Sequence, residues 1–146
     1  MSIAALITWI VTALGGAYLL RTWLARGGVR QQRTGTTRFP APVIFGHFLL
    51  AAAGLVVWIV YLIADTKALA WAAFIILLPV ALLGFAMFAR WIAVHRASTP
   101  ATAAAGQESS APAESAFPLS VVLGHGLLAA VTLVLVLLAA LGVGGS

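Results

Sequence analysis

Two of the chain's three histidines stand in the same setting. His47 lies in "FGHFLLAA", beginning at Phe45, and His125 lies in "LGHGLLAA", beginning at Leu123. Ionisable side chains are expensive in hydrocarbon, and those found there mostly face a bundle interior and mark a function. Three chemistries are open to such a pair. The imidazoles can ligate a metal through a ring nitrogen, hold a quinone by hydrogen bonds, or tie helices together through backbone or hydroxyl groups. Zinc wants more ligands than two histidines, and these spans offer no carboxylate or cysteine. Gly46, Gly124 and Gly126 remove bulk beside the imidazoles in sequence, leaving room for a ligand.

The elements that must carry these residues follow from composition. The chain is 63% hydrophobic and 8% charged, with mean hydropathy +1.12. A soluble domain carries about 25% charged residues, so this chain cannot cover itself in water. Charge-free runs at 3–20, 42–64, 68–89 and 119–143 contain 18, 23, 22 and 25 residues. A helix needs roughly 17–25 such residues to cross hydrocarbon. Barrel strands would alternate apolar and polar residues, and these runs do not. The expected fold is an all-α integral membrane bundle of four transmembrane helices, forming one membrane domain over residues 1–146. The first span lacks a basic leader, so it reads as an uncleaved anchor rather than a signal peptide.

Charge gives the orientation. The net charge is +5, and its position argues for topology rather than nucleic acid. Arg21, Arg26, Arg30, Arg33 and Arg38 lie between the first and second spans, and Arg90 and Arg96 follow the third. Only Lys67, beside Asp65, lies between the second and third. Cytoplasmic loops carry the excess of Lys and Arg, so both termini are expected outside. Abundant Ala, Gly and Arg with one Lys points to a bacterial inner membrane. The chain has no cysteine, which excludes disulfides, thiolate metal sites, iron–sulfur clusters and the C-x-x-C-H attachment of c-type haem.

The two histidine stretches belong to a longer repeat. Residues 39–64 align with 117–142 at an offset of 78, with 11 identities in 26 positions, including Phe39/Phe117, Pro40/Pro118 and Gly46/Gly124. "LGGAYLLRTWLA" at 14–25 aligns less closely with "LLGFAMFARWIA" at 82–93, at an offset of 68. Each half is then one helical hairpin, and the halves form a parallel repeat about an axis along the membrane normal. Residues 97–116, rich in Ala, Ser, Thr, Pro and Glu, read as a disordered cytoplasmic linker. Pro79 lies inside the third span and is expected to kink it, freeing a carbonyl near Ile75. Trp23 and Trp91 read as an interfacial aromatic belt, and His95 as a solvated interfacial residue.

In an up-down-up-down bundle the second and fourth helices are parallel and diagonal. Neighbours at about 8–10 Å put that diagonal at roughly 11–14 Å, a separation suited to two histidines ligating one haem iron from opposite faces. Haem propionates would then meet the arginines, with Arg38 and Arg90 nearest. In this architecture, with His47 and His125, the chain resembles the small four-helix transmembrane b-type cytochromes, which hold haem between histidines of their helices. The resemblance implies haem b and electron transfer, with a quinone or a partner membrane subunit as donor or acceptor. Many members hold two haems with four histidines, whereas this chain has three histidines in all. Two other classes compete. Proton-coupled transport depends on an intramembrane carboxylate, which the spans lack. An accessory or assembly subunit of a larger complex, acting by helix contacts alone, fits the same composition.

Overall fold

A computed structural model describes residues 1–97 and 111–143. Among them, four helices are long and apolar enough to cross a membrane: α1 (Ser2–Ala25), α3 (Ala41–Ala64), α4 (Lys67–Ala97) and α5 (Leu119–Ala140). Within hydrocarbon only a helix or a closed barrel satisfies every backbone polar group, so the four apolar runs fold as helices. The protein is an all-α, multi-pass membrane bundle. A short helix, α2 (Gly28–Thr34), and a 3-10 turn at Ala113–Ala116 lie at the arginine-rich end.

Local chemistry sets the helix ends. α3 and α5 both start after a Phe-Pro pair, with Pro40 and Pro118 as N-caps in extended backbone. Gly27 and Gly35 adopt left-handed conformations on either side of α2, the region that glycine enters without steric cost. α4 runs unbroken through Pro79.

α1 packs on α5, α3 on α4, and α4 on α5, while α1 and α3 touch less closely. This leaves α3 and α5 diagonal, as the sequence implies. Their side chains nevertheless meet across the centre. The rings of Phe39 and Phe117 stand 5.9 Å apart, edge to face, at the arginine-rich end. Trp9, Trp58 and Tyr61 fill the opposite end, with Trp58 4.8 Å from Tyr61 and 6.4 Å from Trp9. The histidines lie between these two clusters.

Two expectations are corrected. Trp23 and Trp91 do not form a lipid-facing belt: both are buried, at 0% and 3% exposure, in the cluster containing Phe39 and Phe117. Gly28 explains Trp23, because a Cβ there would stand 2.1 Å from the indole, so only glycine lets α2 close over the ring. The second correction concerns the linker. Residues 98–110 lie outside the described residues, but the end of the segment is folded and docked. Gln31 bonds both Ala111 and Ala113. Glu114, fully buried, accepts from the Thr37 hydroxyl at 2.7 Å and the Arg38 backbone N–H at 2.6 Å. Thr37 in turn accepts from the Trp23 indole N–H at 3.2 Å.

Candidate functional site

His47 and His125 are each the seventh residue of their helix, about 9 Å along the axis from its start at 1.5 Å per residue. Both are half-buried, and their rings meet at the centre with centroids 6.3 Å apart and planes at 61°. Neither faces lipid alone. The buried positions of α3 (Ile44, Gly54, Trp58, Tyr61) and of α5 (Val122, Thr132, Val136, Ala139) put this stripe toward the core. Leu50, three residues after His47, is exposed.

Each ring is held by a helix of the other hairpin. His47 Nδ1 lies 3.0 Å from the carbonyl of Val80 on α4, and His125 Nδ1 lies 2.9 Å from the carbonyl of Thr12 on α1. A carbonyl only accepts, so Nδ1 donates, and in the neutral ring Nε2 carries the lone pair. No hydrogen bond among the described residues engages either Nε2. Thr12 and Val80 are related by the offset of 68 that aligns α1 with α4, and the histidines by the offset of 78 that aligns α3 with α5.

Glycines on the odd helices make these contacts possible. A helical side chain covers the turn before its own Cα, so the residue four positions after a carbonyl screens it. Those residues here are Gly16 and Gly84. A Cβ at Gly16 would stand 3.0 Å from His125 Cε1, and one at Gly84 would stand 3.3 Å from His47 Cε1. The glycines adjacent in sequence behave differently: a Cβ at Gly46, Gly124 or Gly126 meets nothing within 4 Å. The signal for Gly16 and Gly84 was in the sequence, since they are one of the few identities between 14–25 and 82–93.

Arg38 and Arg90 come together at the arginine-rich end. Arg90 Nη1 donates to the Arg38 carbonyl at 2.9 Å. With Gln32, Thr37 and Pro40 they line a cleft of about 480 Å³. Gln32 also bonds the Phe39 carbonyl and the Ala41 N–H, fixing the entry to α3. His95 is exposed and stacks on Trp91 at 4.8 Å, away from the other two histidines. Among the described residues no group of three His, Cys, Asp or Glu side chains converges on a metal position.

Two imidazoles whose Nδ1 atoms are committed to carbonyls would each offer Nε2 to a metal. A ligating histidine characteristically gives its other ring N–H to a carbonyl or carboxylate, as both do here. Comparison with protein-family models, with curated proteins and with solved structures finds no match.

Proposed function

We propose that this protein is a haem b electron-transfer protein of the bacterial inner membrane, with His47 and His125 as the two axial ligands near the cytoplasmic face. One observation carries the reading: two imidazoles meet at 6.3 Å, each with Nδ1 held by a carbonyl and Nε2 left with its lone pair. As helix ties alone, hydrogen bonds of this kind average about 0.6 and reach roughly 1.7 kcal/mol in membranes. A threonine would supply as much without bringing two rings together at the centre. A haem held by His47 and His125 would supply one-electron redox chemistry, and with both imidazoles as ligands electron transfer would be favoured over oxygen chemistry.

The protein's own part is to hold the rings. The carbonyls of Thr12 and Val80 fix the tautomer and orientation of the rings and make Nε2 more basic. Gly16 and Gly84 keep those carbonyls open. Arg38 and Arg90 supply guanidinium groups for the propionates. The matched offsets support reading the two hairpins as parallel repeats, with the pseudo-twofold axis passing between the imidazoles. A site in one leaflet passes electrons to a membrane quinone or a partner subunit on the same side.

Absorption spectra of purified reduced protein test the ligand set. His47→Ala and His125→Ala should each abolish the low-spin b-type spectrum or convert it to high-spin, while His95→Ala leaves it unchanged. An unaltered spectrum in either of the first two variants would refute bis-histidine ligation.

A further inference from the structure

The cluster between the histidines and the arginine-rich end holds two buried tryptophans in related positions. Trp23 lies seven residues after Gly16, and Trp91 seven residues after Gly84. Seven residues are close to two turns, so each indole lies on its helix's imidazole-facing side, about 10 Å nearer the arginines. Their N–H groups differ. Trp23 Nε1 donates to Thr37, whose hydroxyl is held by Glu114. Trp91 Nε1 is buried and has no hydrogen-bond partner, the one such side-chain atom among the described residues.

A buried donor without an acceptor costs about 1–3 kcal/mol, and native structures rarely leave one so. A trapped water would need two to four polar partners. The apolar residues Phe39, Ile44, Phe117 and Val122 share a cluster with Trp91, with Phe88 and Met87 at its edge, and the His95 ring stacks on the indole face, where it cannot accept from Nε1. No acceptor for this N–H stands among the described residues of the cluster that lies between the imidazoles and Arg38 and Arg90. Arg90, the preceding residue, lines the cationic cleft. We propose that the Trp91 indole N–H donates to a haem propionate carboxylate, anchoring the cofactor's polar edge together with Arg90. This rests on the haem reading above. Trp91 is then a cofactor-positioning residue, and Trp23, satisfied by Thr37, is not.

Haem loss from the purified holoprotein to an apoprotein scavenger measures this. A hydrogen bond to a charged group contributes enough for Trp91→Phe to speed haem loss about tenfold or more, whereas Trp23→Phe changes it by less than about threefold once stability is matched. Loading with haem propionate dimethyl ester supplies the other side of a double-mutant cycle. The effect of Trp91→Phe should shrink toward zero on the ester. An equal effect on native and esterified haem, or no effect on either, overturns the proposal while leaving histidine ligation intact. A wild-type chain that takes up no haem removes both readings. Should Trp91→Phe fail to fold, indole N–H NMR of the wild type decides. One of the five tryptophan resonances should move downfield with native haem and not with the ester, and identical spectra overturn the proposal.

Discussion

A methyl group at Gly16 would stand 3.0 Å from His125 Cε1, and one at Gly84 3.3 Å from His47 Cε1, whereas Gly46 and Gly124 face open space. Overpacking costs about 1–3 kcal/mol, and replacing a helical glycine by alanine recovers up to about 1 kcal/mol. Gly16→Ala and Gly84→Ala should therefore lower the thermal midpoint in detergent by several degrees, Gly16→Ala more. Gly46→Ala and Gly124→Ala should hold it or raise it. Equal behaviour of all four would contradict the packing around the rings. The histidines themselves were legible in the sequence, because a polar ring in an apolar run stands out. Their partners were not. Backbone carbonyls have no sequence signature, and the glycines that expose them lie on other helices, Gly84 37 positions from His47 and Gly16 109 positions from His125.

At the scale of elements, charge-free length was enough to find the four helices, since a membrane span is set by hydrocarbon thickness. Which face turns inward was harder to read. Lipid is as apolar as a core, so helix association leaves no strong difference between inner and outer faces. Trp23 and Trp91 suit an interfacial belt in composition, and only Gly28 and Thr37 reveal that Trp23 is enclosed. Glu114 was equally hidden, because its partners Thr37 and Arg38 are more than 70 residues away in sequence. Glu114→Ala removes the acceptor for both and should destabilise the fold by about 2–3 kcal/mol. It should also free the docked segment. Since the chain has no cysteine, Ala113→Cys reports this directly. Maleimide should label it slowly in the parent, where Ala113 is 1% exposed, and rapidly beside Glu114→Ala. Equally slow labelling in both would show that the segment is held by other contacts.

The whole molecule is organised by two asymmetries, one of charge and one of depth. Seven of the eight Lys and Arg residues flank one end of the bundle, and the histidines lie toward that end. In intact cells a membrane-impermeant thiol reagent should label Thr66→Cys from outside and leave Thr34→Cys unlabelled. The converse pattern would reverse the orientation and move the histidines to the outer leaflet. The proposed correspondence between halves rests on features that were partly legible at this scale. Phe-Pro and Gly-His recur, and the bonds from His47 to Val80 and from His125 to Thr12 follow the same two offsets. The most direct measurement of the central claim is haem content and spin state in the purified wild-type chain, made with ample haem supply. The expected result is one haem b per chain, six-coordinate and low-spin in both oxidation states. A colourless, folded protein would contradict it and leave the histidines as ties between helices.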